Sequence, residues 1–147
     1  MEILSPDAFA ARVREYGNKQ VQLIAKKAGL AVFEEVFRNL LILTPVLTGH
    51  ARYNWQPSIG NPVTEEQDGI AGVESTGAAL TGEELGDIEA MKKLFLTSPA
   101  WGMFITNNVP YIQILDNGNS AKAPTGMTEP AIAASLAVLK DKKLNLT

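Results

Sequence analysis

Val32-Phe33-Glu34-Glu35-Val36-Phe37-Arg38-Asn39-Leu40-Leu41-Ile42-Leu43-Thr44-Pro45-Val46-Leu47-Thr48-Gly49-His50 is the stretch that decides the fold. Val32, Val36 and Leu40 recur one helical turn apart, with Glu34, Glu35 and Arg38 off the stripe. Pro45 disfavours a helical conformation at Thr44, so an amphipathic helix ends near Thr44-Pro45. Val46 to His50 is then a short connector.

Toward the N-terminus the stripe continues through Ala28, Ile24 and Val21, with Lys26 and Lys27 off it, and Phe33 and Phe37 widen the apolar face. Phe9, Val13 and Tyr16 keep helical spacing beyond Gly17-Asn18, which is either a kink or a break. Ser5-Pro6-Asp7 reads as the start: a capping hydroxyl, a proline suited to the first turn and an acid at the positive end. One long helix results. Its stripe exceeds what a three-stranded sheet covers, and the surplus seeks a partner chain.

Toward the C-terminus the period changes. Tyr53, Trp55, Pro57 and Ile59 alternate with Asn54, Gln56 and Ser58, a strand with Pro57 at an edge or bulge. Gly60-Asn61-Pro62 turns the chain. Gly69 to Val73 reads as a second strand, able to pair with the first as a hairpin. Thr81-Gly82-Glu83-Glu84 matches a capping box, opening a helix with Leu85, Ile88, Met91 and Phe95 on one face and Lys92-Lys93 toward its favourable end. Ser98-Pro99 stops it. Trp101, Met103 and Ile105 form a third strand up to Asn107, and Tyr111 to Asp116 a short helix closed by Asn117-Gly118. A last helix opens at Thr128-Glu129-Pro130, carries Ile132, Leu136 and Leu139, and frays over Leu144 to Thr147. The pattern describes one α+β domain over residues 1–147, a small antiparallel sheet packed by a long N-terminal helix and a C-terminal helix.

The 147 residues are 46% hydrophobic, enough for one real core, and carry a net charge of −3. Lysine runs are confined to Lys26-Lys27, Lys92-Lys93 and the Lys140 to Lys143 tail, which disfavours sequence-independent gripping of nucleic acid. There is no cysteine, hence no disulfide and no thiolate chemistry, in keeping with synthesis in a reducing cytoplasm. Met1 to Asp7 lacks the basic and apolar regions of a signal peptide, and Leu40 to Leu43 is too short to span a membrane.

Signs of catalysis are sparse. His50 is the single histidine, with no second histidine for a metal pair and no nucleophile motif around it, and reads as a loop residue. Gly72 to Gly77 lacks the Lys-Ser/Thr ending of a phosphate loop. Glu65-Glu66 and Glu83-Glu84-Asp87 are explained by solvation and helix capping. Tyr53, Trp55, Trp101 and Tyr111 suit a core or an interface better than a base-stacking platform, since only Arg52 is interleaved with them. Neither a catalytic residue nor a cofactor or metal site is expected.

Two segments go beyond general physics: Thr44-Pro45-Val46-Leu47-Thr48-Gly49-His50-Ala51-Arg52-Tyr53-Asn54-Trp55, and Asn107 to Gly118 continuing through Ser120, Ala123-Pro124 and Gly126-Met127. Together they resemble the small tailed-bacteriophage proteins described as neck, tail-completion, minor tail or head–tail joining proteins. Matching positions are Thr44, Pro45, Thr48, Gly49, Arg52, Asn54 and Trp55, then Asn108, Pro110, Tyr111, Leu115, Gly118, Ser120, Pro124, Gly126 and Met127. The order of elements also matches. Asp116 departs from the family's usual Glu, Leu47 and His50 from its Asp and Arg, and residues 77–99 read as an insertion relative to the shortest members.

The resemblance implies a non-catalytic virion protein, made in the host bacterial cytoplasm, that forms a ring in the neck. Six copies are favoured and twelve is the alternative. The ring completes the tail and joins it to the head, DNA being only passing cargo. Its implied neighbours are connector or stopper proteins and tail terminator or tube proteins, with no membrane. The rival readings are a tail terminator that caps the tube and a nucleic-acid-binding domain. Thr44, Pro45, Thr48, Gly49, Arg52, Asn54, Trp55, Pro110, Tyr111, Asp116, Gly118 and Met127 are the candidate subunit or partner contacts. Asn54 and Trp55 are expected on opposite strand faces, and Arg52 as the ion-pair partner of Asp116, within or between subunits. Loops 60–69 and 74–82 are the segments expected to order on docking.

Overall fold

The computed structural model describes residues 4–141, so the expected frayed tail at Leu144 to Thr147 lies outside it. A single helix, α1 (Pro6–Leu43), forms the axis of the molecule. Ser5 caps it by accepting from the Ala8 amide, and Pro6 starts it. Gly17-Asn18 does not break the helix, for an exposed glycine costs only about 1 kcal/mol. The helix stops at Leu43 and Thr44 turns extended, as Pro45 requires.

The remaining elements are α2 (His50–Tyr53), β1 (Gln56–Ile59), α3 (Gly82–Thr97), β2 (Met103–Thr106), α4 (Ile112–Asp116) and α5 (Thr128–Asp141). The fold is α+β, with the long N-terminal helix packed on the C-terminal helix. The sheet is smaller than expected. β1 pairs antiparallel with β2 in the register Gln56↔Thr106 to Ile59↔Met103. Residues 69–73 form no strand, and the expected hairpin is absent. The first half of the expected first strand is instead a helical turn, launched by Gly49 at φ 89°. Asn54 caps that turn, so Asn54 and Trp55 do not occupy opposite faces of a strand. Pro57 is tolerated because both strands of a two-stranded ribbon are edges.

The core divides around α1. On one side Phe33, Phe37, Leu41 and Ile88 pack with Met91 and Met103; on the other Leu40 packs with Ala123, Met127 and Ala131. Trp55 and Ile105 touch both groups and join them. The buried face of α1 runs through Lys26, Leu30, Phe33, Phe37, Leu40 and Leu41, so the expected stripe is rotated. Phe33 and Phe37, stacked 5.9 Å apart, lie at its centre rather than its margin, and Val32 remains in water. The aromatic rings bury more area than the valines and set the phase.

The same rotation occurs on α5. Ala131 and Ser135 face α1, while Ile132 and Leu136 are exposed. Ser135 donates to the Ala131 carbonyl and accepts from Asn39 at 3.0 Å, a close approach of helices that small side chains allow.

Lys26 is the buried charge of α1. Its Nζ donates to the Phe95 carbonyl at 3.0 Å and to the Ser98 carbonyl, and lies 4.7 Å from the Phe95 ring centre. These are the free carbonyls at the end of α3, which has no basic residue in its own last turn. Lys92, expected to serve there, pairs instead with Glu34 at 3.0 Å. Lys26→Ala should cost roughly 1.5–3 kcal/mol, as for hydrogen bonds to a charged group, whereas Lys19→Ala on the exposed part of α1 should cost less than about 0.5 kcal/mol. Urea unfolding midpoints measure both, and equal losses would contradict this account.

Candidate functional site

Several of the residues singled out by their motifs turn inward, whereas Thr48, Pro110 and Tyr111 are exposed. Thr44, Arg52, Asn54 and Met127 are fully buried within the chain and make their contacts inside it. They build the scaffold. Thr44 Oγ1 donates to the Leu40 carbonyl at 2.6 Å and accepts from Trp55 Nε1 at 2.7 Å, tying the end of α1 to the start of the sheet.

Arg52 is the tightest knot. Its Nε and Nη2 each donate to a Glu84 carboxylate oxygen at 2.8 Å, and its remaining donors reach the Ala78 and Ala79 carbonyls. Glu84 also accepts from the Thr81 amide, completing the capping box of α3. The expected Arg52–Asp116 ion pair does not form. Asp116 Oδ1 accepts from the Met127 and Thr128 amides at 2.9 and 2.8 Å, at the start of α5. Burial opposes its charge, but the Thr128 and Met127 donors outweigh it and hold the carboxyl below its usual range. Gly118 and Gly126 serve the same junction. A Cβ on Gly126 would meet the Asp116 carbonyl oxygen at 2.1 Å, and one on Gly118 the Pro124 carbonyl oxygen at 2.4 Å.

A second cluster harnesses residues 63–71. His50 Nδ1 lies 2.7 Å from the Gly69 carbonyl and Nε2 2.6 Å from Glu66 Oε1. Both partners only accept, so the full arrangement needs the protonated ring. The hydrogen bond that His50 donates to Glu66, then that to the Gly69 carbonyl, raises the His50 pKa above its usual value. Asn54 adds a two-way clasp on Gln67, Gln56 donates to the Glu65 carbonyl, and Asn108 donates to Val63 and Glu65. Sequence reasoning missed these contacts, since nothing in the spacing of His50 and Glu66 announces them.

Two features face outward. The first is the N-terminal half of α1, where every residue from Phe9 through Ala25 is exposed. Phe9, Val13, Tyr16 and Val21 are each more than half exposed. Phe9, Tyr16 and Leu23 continue, at a spacing of seven, a stripe whose next members, Leu30 and Phe37, are buried in the body.

The second feature is a groove of about 420 Å³ between α3, β1 and residues 63–72. The apolar Trp55, Pro57, Met91 and Leu94 line it, as do the acidic Glu83 and Asp87. Burial, then the neighbouring Glu83 and Glu84, raises the Asp87 pKa. Of the motif residues, Trp55 and Arg52 reach this groove, whereas Tyr111 and Pro110 are exposed away from its lining. The aromatic side chains are separately engaged: Trp101 lies over Lys26, Trp55 is in the core, and the Tyr53 ring fills the space where Gly69 would carry a Cβ. Among the described residues no cluster of His, Cys, Asp and Glu is arranged to hold a metal, and no helix is long and apolar enough to cross a membrane.

A double-mutant cycle between Arg52 and Glu84 should show a coupling of about 1–3 kcal/mol, and one between Arg52 and Asp116 should be additive within about 0.5 kcal/mol. The reverse pattern in chemical denaturation would contradict the assigned pairs. His50 gives one clean titration by NMR, being the single histidine. Its pKa should lie above about 6.5, and Glu66→Gln should lower it. Because the folded pKa is the higher one, the stabilisation is complete below about pH 6.5 and is lost as the pH rises through the folded value. A pKa at or below the usual value would refute the clamp. Set against protein-family models, curated proteins and solved structures, the chain matches none of them.

Proposed function

We propose that this chain is a structural subunit of the neck of a tailed bacteriophage, one of a ring of identical copies that completes the tail and joins it to the head. The observation that carries the reading is the bare half of α1. A helix of 38 residues extends ~57 Å at 1.5 Å per residue, and among the described residues every position from Phe9 through Ala25 is exposed. The resemblance of the Thr44 to Trp55 and Asn107 to Met127 segments to neck and tail-completion proteins supplies the place of assembly.

On this reading the motif residues hold the scaffold and the exposed half of α1 assembles it. Six copies are favoured over twelve. The net charge of −3 suits a channel through which DNA passes without adhering. Native mass spectrometry followed by electron microscopy tests the reading. A closed ring with a central channel is expected. A monomer at high concentration that binds DNA with a steep salt dependence would overturn it.

A further inference from the structure

The bare stripe of α1 and the groove beside α3 belong to one rigid body but cannot meet within it. Phe37 lines the groove, and Val13 lies about 24 residues before it on the same helix, ~36 Å away along the axis. The stripe reaches a groove of this kind only on another chain.

The two surfaces are complementary. Phe9, Val13 and Tyr16 share one face of α1, and at about 100° per residue Arg12 and Lys19 fall along one edge of that face. The groove is lined by the apolar Trp55, Pro57, Met91 and Leu94 and by the acidic Glu83 and Asp87. Its volume of about 420 Å³ accepts a few apolar side chains. Arg52 is already neutralised by Glu84, which leaves the free charge of the groove acidic.

We propose that the N-terminal half of α1 of one copy lies in the groove between α3 and β1 of the next copy. Phe9, Val13 and Tyr16 fill the groove, while Arg12 and Lys19 meet Glu83 and Asp87, Lys19 exchanging the exposed pair that it makes with Glu15 on its own helix. Each copy then both gives a helix and receives one, a heterologous interface that repeats from subunit to subunit and closes into a ring when its rotation allows. The inference rests on the structural-subunit reading and names the partner surface that reading leaves open.

The test exploits the absence of cysteine in the chain. Tyr16→Cys and Leu94→Cys, both at exposed positions, are prepared separately, mixed and treated with a short bismaleimide. Cross-linked dimers containing one copy of each variant are expected, with far less cross-linking in either variant alone. Tyr16→Cys linking to itself but not to Leu94→Cys would overturn the groove as the docking site while leaving ring assembly intact. Absence of any cross-link at concentrations where the unsubstituted protein is oligomeric by native mass spectrometry would also overturn the groove as the docking site, whereas an unsubstituted protein that stays monomeric and binds DNA with a steep salt dependence would overturn both. In parallel, Asp87→Lys should weaken self-association about tenfold or more, and adding Lys19→Glu to the same chain should restore it. No restoration in a variant with unchanged circular dichroism would contradict the charged contacts.

Discussion

The Arg52 guanidinium is the constraint on which the rest depends. It lies with no exposed surface at the meeting point of α2, residues 78–79 and the start of α3, and all three of its nitrogens donate hydrogen bonds there. A buried cation is costly unless fully paired, so its four partners must arrive together. That requirement fixes where α3 begins, because Glu84 is at once the partner of Arg52 and the acid of the capping box. Through α3 it positions Ile88 and Phe95 against α1, and through α2 it positions Trp55, which joins both halves of the core. Asp116 performs a related task at the opposite side, where one carboxylate oxygen holds the first amides of α5.

How legible this was depended on the range of the interaction. Local signals were clear. Ser5 and Pro6 start α1, Thr44-Pro45 ends it, and Thr81 with Glu84 opens α3, because caps and prolines act within a few residues. The helix faces were harder. On α1 and α5 the valine and leucine stripes lost to Phe33 and Phe37 and to Ala131 and Ser135, since which face is buried is set by the neighbour and not by periodicity alone. The strands over Tyr53 to Ile59 and Gly69 to Val73 were the weakest expectation. Asn54 and His50 tie residues 63–71 by side chain, which removes that segment from the sheet. The partner of Arg52 could not be read from spacing, because Glu84 and Asp116 are both distant carboxylates in the sequence and only the packing of α3 chooses between them.

The molecule thus divides into a closed body and an open helix. The body satisfies its buried polar side chains; among the described residues none is left without a partner. The N-terminal half of α1 has the opposite character: a stripe of Phe9, Val13 and Tyr16 in water, continuous with the buried Leu30 and Phe37. A stretch of helix as exposed as residues 9–25 gains little stability from tertiary packing. On the proposed reading, this division is that of a subunit which completes itself on a neighbouring copy.

The measurement that tests this division most directly is amide hydrogen exchange of residues 9–25 as a function of protein concentration. The account predicts rapid exchange in dilute protein and strong protection as copies assemble, with the Glu83 to Leu94 face of α3 gaining protection at the same concentrations. Exchange over residues 9–25 that stays unchanged while oligomers form would contradict it, and would place the contact between copies elsewhere on the molecule.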